Sequence, residues 1–142
     1  MARAAARGAG DMAMILRAAD TRAEHLLAAS AYLFVCPENL GSMSGEMKEM
    51  FDRCYYPLLG RIEGRGYATM IAAGSAGQGA EAQIERIVTG WRLRRIAERM
   101  IVNLQADTPQ TILTAKSPSR AVLKQCREMG MAIGVGMRMG VF

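Results

Sequence analysis

An unbroken apolar run, Ala31 to Cys36, stops at Pro37, and after one short loop the chain enters a strongly amphipathic segment. The run is short, uncharged and rich in strand-forming residues, the pattern of a strand buried on both faces in a parallel sheet. Beyond the loop, Met47, Met50, Phe51, Cys54, Tyr55 and Leu58 recur at helical spacing, while Lys48, Glu49, Asp52 and Arg53 lie on the opposite face. Ser44 stands where an N-cap belongs, and Glu46 falls in the first turn, where the helix dipole favours an acid. Lys48 with Asp52 and Glu49 with Arg53 are i, i+4 pairs, each worth about 0.2–0.5 kcal/mol when exposed. Pro57 is expected to end this helix.

The same βα rhythm recurs downstream. Arg61 to Gly66 reads as a glycine-rich turn, Tyr67 to Ala73 as a second buried strand, and Gly74 to Gly79 as a second glycine-rich loop before a helix. Glycines in such a loop serve tight turning more often than ligand binding, and this one is not a GxGxxG fingerprint. Its position adds weight. In an open parallel sheet, ligands sit beyond the carboxyl ends of adjacent strands, so the two loops would line one crevice. The first loop, Pro37 to Gly45, has two glycines and two serines that allow close backbone approach, and it leads to free N–H groups at a helix start. Such a loop suits a flat, hydrogen-bonding ligand.

Upstream, Ala13 to Ala18 reads as a short strand and Thr21 to Ser30 as a short helix, with Thr21 as N-cap and Glu24 three positions on. Met1 to Gly10 is alanine-rich and basic without an acid. It is open to three readings: a transit segment, a disordered basic arm, or the end of an Ala-rich helix terminated by glycine, the last agreeing best with the α/β alternation that follows. Downstream, a helix is expected over about Ala80 to Glu98, drifting in phase near Gly90. Arg92, Arg94, Arg95 and Arg99 form a positive patch in its last turns, read either as a solvated face near the C-terminal dipole or as a contact for a cofactor phosphate or a partner. Trp91 belongs to the core or a subunit interface. Met100 to Leu104 reads as the last strand, a polar loop with Asp107 follows, and a final helix runs from about Ser119 to Met137. Its Gly130, Gly134 and Gly136 cost about 1 kcal/mol each against alanine, which close packing would offset.

With 142 residues, 51% of them hydrophobic and 22% charged, the chain is expected to form a single domain, residues 1–142, with a substantial core. No apolar run approaches bilayer-spanning length, so no membrane partner is expected. The cysteines, Cys36, Cys54 and Cys126, are odd in number and sit on apolar faces, favouring buried thiols in a reducing compartment, the cytoplasm, over disulfides or a metal site. The lone His25 has no neighbouring nucleophile motif, which argues against hydrolytic chemistry. The net charge of +5 raises nucleic-acid binding, but no aromatic RNA-binding signature, zinc finger or convincing helix-turn-helix accompanies it.

The sequence P-E-N-x-G-S-M-S-G from Pro37, followed by E-M-K-x-x-x-D-R from Glu46, resembles the loop and helix after the third strand in flavodoxin-like flavoproteins of the NAD(P)H-dependent FMN reductase and quinone reductase group. A weaker resemblance extends from about Asp11 to the C-terminus. It implies an α/β, flavodoxin-like open parallel sheet with helices on both faces, N-terminally truncated because the first strand and phosphate-binding loop are missing. It also implies FMN as cofactor, NAD(P)H as electron donor, a quinone or other small molecule as acceptor, and a homo-oligomer. No catalytic side chain or metal ligand is expected, since the flavin carries the chemistry. The residues it points to for the flavin ring are Pro37, Glu38, Asn39, Leu40, Gly41, Ser42 and Met43, with Gly74, Ser75, Ala76 and Gly77 opposite. Many relatives place an aromatic residue where this chain has Asn39-Leu40. In the strand order 2-1-3-4-5, loss of strand 1 leaves a gap of about 10 Å at a strand spacing of ~4.8 Å. Three resolutions are open: the reading frame starts upstream, Ala13 to Ala18 pairs directly with Ala31 to Cys36, or a partner chain supplies a strand. A flavin-free, non-catalytic remnant or interaction module with the same fold is the alternative function.

Overall fold

The computed structural model describes residues 1–142. Helix α1 (Ala2–Ala9) and a one-turn 3-10 segment open the chain, and α2 (Ala23–Ala28) leads into β1 (Ala31–Asn39). A two-residue strand β2 (Ser42–Met43), α3 (Gly45–Leu58), β3 (Gly66–Ala73) and α4 (Gln78–Gly90) follow. Then come β4 (Arg94–Arg95), β5 (Met100–Asn103), α5 (Pro109–Leu113) and α6 (Arg120–Arg138). The sheet is mostly parallel: β1 pairs with β3 from Ala31↔Gly66 to Pro37↔Ala72. Along the other edge of β3, β4 pairs at Gly66 and Tyr67, and β5 from Met70 to Ala73. The flavodoxin-like arrangement expected from the sequence is the one formed.

Helices cover both faces because the strands are apolar on both. On one face, Tyr32, Phe34 and Cys36 of β1 meet Met47, Met50, Phe51 and Cys54 of α3 and Ile84 and Val88 of α4. Trp91 is buried in this layer, its ring centroid 5.4 Å from that of Phe51 and its indole N–H donating to the Tyr55 carbonyl at 3.0 Å. On the other face, α1 and α6 cover Leu33, Val35 and Met70. These two helices approach closely enough that a Cβ at Gly8 would lie 1.9 Å from the Arg127 carbonyl oxygen, and one at Gly130 would lie 2.0 Å from that of Ala5. Glycine here permits the packing that its poor helix propensity opposes.

Several expectations are corrected. Ala13 to Ala18 forms no strand: Ala13 and Arg17 keep extended dihedrals, but the segment has no ladder partner, and a strand exists only through pairing. Thr21 does not cap a helix, because its hydroxyl donates back to the Arg17 carbonyl at 2.9 Å. The helix begins instead at Ala23, where His25 Nδ1 accepts from the Arg22 N–H at 3.0 Å, so the lone histidine is spent on a helix end. Pro37 does not stop β1, which runs on to Asn39; with β3 on one side only, it tolerates a residue lacking an N–H. The helix from Gln78 ends at Gly90 rather than Glu98, since Arg94 and Arg95 turn into β4. The arginine patch therefore does not lie on a helix. Arg95 points inward to Glu81, N to O 2.6 Å, with its guanidinium 4.7 Å from the Tyr67 ring centroid, and Arg92 pairs with Glu63. Around α3 the reading holds: Ser44 is at the N-cap, though without a side-chain hydrogen bond, both i, i+4 ion pairs form, and the helix ends at Leu58, one residue past Pro57.

Candidate functional site

At its carboxyl end β1 curls into a hairpin, with Glu38 opposite Met43 and Asn39 opposite Ser42. The two turn residues, Leu40 and Gly41, both have positive φ, 52° and 73°, as a tight hairpin with the right-handed strand twist requires. Glycine enters this region freely, whereas leucine does so at a cost of about 1–2 kcal/mol. The Leu40 side chain gains nothing in return from packing, for it is fully exposed, at 106%. The stretch expected as an open loop is thus a rigid projection with an apolar tip.

The second loop sits against this hairpin. Glu38 reaches across so that one carboxylate oxygen accepts from the Gly77 N–H at 2.8 Å and the other from the Ala80 N–H at 2.9 Å. The carboxylate satisfies backbone donors that the start of α4 otherwise leaves unpaired and sits at the positive end of that helix. A Cβ at Gly79 would fall 2.1 Å from the Gly41 carbonyl oxygen, so only glycine lets α4 come this close. Gln83 completes the seam: its Oε1 accepts from the Ser42 hydroxyl at 2.8 Å and the Met43 N–H at 3.2 Å. The hairpin and the Gly74–Gly77 loop therefore form one rigid wall at the ends of two adjacent parallel strands.

Below the second loop lies a polar hollow of about 340 Å³ lined by Gly74, Ser75, Asn103, Gln105 and Asp107. Asn103, at the end of β5, donates to the Ser75 carbonyl at 2.6 Å and accepts from the Gln105 N–H at 2.7 Å. The Ala106 N–H donates to the Gly74 carbonyl at 2.8 Å, tying the loop after β5 to the loop after β3. Gly77, at φ 104°, has no room for a Cβ, which would meet Ile101 at 2.4 Å.

The residues singled out from the sequence are brought together, but not in equivalent states. Asn39, Leu40, Gly41, Ser75 and Ala76 are exposed, and Pro37 is exposed near the strand end. The Met43 side chain is buried in the core, the Glu38 carboxylate is committed to α4, and the Ser42 hydroxyl and Met43 N–H are taken by Gln83. Cys36, just before the hairpin, is buried, and burial pushes its thiol up to about 11, so it is no nucleophile. Asn103, Gln105, Gly79 and Gln83 were not singled out; an Asn ending the last strand above a polar loop is the signal that points to the first two. The donors and acceptors still open to solvent are backbone groups of the hairpin tip and the Ser75-Ala76 turn, together with Asn103, Gln105 and Asp107. That set fits the flat, polar-edged ring of a flavin.

A family model described as NADPH-dependent FMN reductase matches residues 17–101, more than half of the chain. No curated protein sequence matches. Among solved structures, a flavodoxin from the domain Archaea is similar with a TM-score of 0.73 and 15% identity, over 96% of this chain and 87% of that one. A WrbA-like flavodoxin from Agrobacterium tumefaciens gives 0.66 and 19%, over 96% and 87% of the two chains. An NADPH-quinone reductase from P. pentosaceus gives 0.56 and 14%, over 82% and 76%. At these identities the likeness is one of fold.

Proposed function

From its place in the NADPH-dependent FMN reductase family, to which the chain belongs, we propose that it is a flavin-dependent oxidoreductase that holds FMN by its ring against the wall formed by the hairpin and the Gly74–Gly77 loop and passes electrons from NAD(P)H to a quinone or another small acceptor. The observation that carries this reading is the double hydrogen bond from Gly77 and Ala80 to Glu38, which fixes two ligand-facing loops relative to each other before any ligand arrives. FMN supplies the hydride and electron chemistry when bound. The chain's own part is positional. Leu40 offers an apolar surface for one side of the ring, free backbone groups of Gly41, Ser75 and Ala76 meet its polar edge, and Asn103 holds the Ser75 carbonyl in place. No helix is long and apolar enough to cross a membrane. A homo-oligomer belongs to the same proposal.

A second reading, a flavin-free module of the same fold, draws on β1, which pairs with β3 on one side from Ala31 to Pro37 and leaves Ala31, Leu33 and Val35 half-exposed. One experiment separates the two: the visible spectrum of the purified chain after incubation with FMN and removal of the excess. Retained, perturbed flavin absorbance that bleaches with NAD(P)H is the expected result. Folded protein that keeps no FMN would leave the flavin-free reading standing.

A further inference from the structure

Charge is not spread evenly over this fold. Residues 13–115 balance eleven Lys and Arg against eleven Asp and Glu, so the whole net charge of +5 falls on residues 1–12 and 116–142, the segments that carry α1 and α6. Along α6 the inward face is Val122, Cys126, Met129, Ile133 and Met137, each buried or half-buried. The opposite face repeats at three- and four-residue spacing through Arg120, Lys124, Arg127, Met131, Val135 and Arg138, every one exposed. That stripe runs the length of a 19-residue helix, ~28 Å. Beside it, Arg3 and Arg7 form the exposed stripe of α1, which lies against α6 where Gly8 meets the Arg127 carbonyl. Two acids belong to these segments: Glu128, 3.7 Å from Lys124, and Asp11, 3.5 Å from Arg138. Arg3, Arg7, Arg120 and Arg127 pair with no carboxylate. Among these cations stand open apolar side chains, Met131 at 52% exposure and, just past the helix end, Met139 at 72%.

We propose that the outer face of α1 and α6 is a docking surface for the anionic headgroups of a phospholipid bilayer, on which the domain lies without crossing it. Cations left without carboxylates attract an anionic partner, and each one near a negative membrane surface adds to binding. Five of the six cations on the two stripes are Arg, whose planar fork matches phosphate oxygens. Met131 and Val135 lie between Arg127 and Arg138; a nucleic-acid backbone offers such side chains no partner, whereas the boundary between headgroups and acyl chains does. Residues 1–12 and 116–142 contain no Trp or Tyr, so the face lacks the aromatic anchors by which a folded protein is commonly held. A second copy docked by the same face would set like charge against like. The hairpin packs on α4, in the opposite helical layer, so a domain lying on α1 and α6 keeps its proposed flavin wall clear.

The test uses the whole chain without flavin, so its result is independent of the FMN proposal. The probe is a vesicle of phosphatidylcholine and phosphatidylglycerol in equal parts, with pure phosphatidylcholine vesicles beside it, and the readout is co-sedimentation. Retention by the anionic vesicles alone is expected, weakened at about 1 M salt, where the Debye length is ~3 Å. Arg120→Gln and Arg127→Gln are each expected to weaken it roughly fivefold, and Met131→Gln severalfold. Arg86→Gln removes an exposed cation from α4, in the other layer, and is expected to change nothing. All four side chains are exposed and free of ion pairs, so these changes leave the fold intact. Absence of retention would overturn the proposal, as would an equal loss in Arg86→Gln, which would reduce the effect to net charge. Tighter binding to a random DNA duplex at the same salt, unaltered by Met131→Gln, would assign the face to nucleic acid instead.

Discussion

Glu38 Oε1 accepts a hydrogen bond from the Gly77 N–H at 2.8 Å, joining the end of β1 to the loop that opens α4. Glu38→Gln keeps the shape but turns one acceptor into an amide donor facing the N–H groups of α4. The expected loss is about 1–2 kcal/mol of stability, since a charged hydrogen bond at a helix N-terminus is replaced by a mismatch. FMN affinity is expected to fall as the hairpin and the Gly74–Gly77 loop lose their fixed relation. Thermal melts with and without FMN read both effects, and an unchanged melting temperature would remove the clamp from the account.

Leu40 lets stability and ligand binding be separated. Asn tolerates the left-handed region that Leu40 occupies at φ 52°, and Asn-Gly is the favoured pair for this turn. Leu40→Asn is therefore expected to raise stability by about 0.5–1 kcal/mol. If the side chain covers the ring, the same change weakens FMN binding severalfold. The paired readings are a urea midpoint and a flavin titration; a stabilised protein with unaltered FMN affinity would place Leu40 away from the ring.

Two glycine-to-alanine changes are expected to act with opposite signs. At Gly79 the new methyl meets the Gly41 carbonyl oxygen at 2.1 Å, pushing α4 off the hairpin at a cost of about 1–3 kcal/mol. At Gly45, the first residue of α3, the methyl meets nothing within 4 Å, and about 0.5 kcal/mol is gained from a stiffer unfolded chain. Urea unfolding of the two variants beside the parent checks the contrast.

The Cys36 thiol, raised by burial from its ordinary 9.0 to about 11, makes stability depend on alkaline pH. Below about 9 the thiol is protonated in both folded and unfolded chains and contributes no slope. Between about 9 and about 11 the unfolded chain loses the proton first, so stability falls as pH rises through this window. Burial also raises the Tyr32 and Tyr67 hydroxyls, which titrate nearby, so the diagnostic quantity is the difference between parent and Cys36→Ala. The variant is expected to show the shallower decline of urea midpoint from pH 8 to 11, and identical slopes would contradict the assignment. Cys54 and Cys126 are likewise buried with raised thiols, and all three cysteines are expected to react slowly with a disulfide reagent at pH 8 in the folded protein.

What could be read from the sequence was what is local. The apolar face of α3 repeats with the helix period, and five of its six members are buried; Tyr55, the sixth, is half-buried against Trp91. β3 was legible as an uncharged run between glycines. The segment from Ala13 to Ala18 has the same strand-forming composition but no neighbour, and composition carries no information about who is adjacent. The end of α4 at Gly90 was hidden because Leu93 and Ile96 continue the apolar pattern into β4 with only a change of phase. The hairpin escaped notice because Leu40-Gly41 lacks the usual Asn or Asp at its first turn position. The Glu38 clamp is invisible to any local pattern, since its donors are 39 and 42 residues downstream.

The contact between Gly8 on α1 and Arg127 on α6 sets an order of events during synthesis. Helix α1 is too short to be stable in water by itself, and the surface it fits is made by α6, far downstream in the chain. Residues 2–9 must therefore wait, unfolded and accessible to proteases, until residues 120–138 have been made, and the closure of this layer is a pairing of segments far apart in sequence.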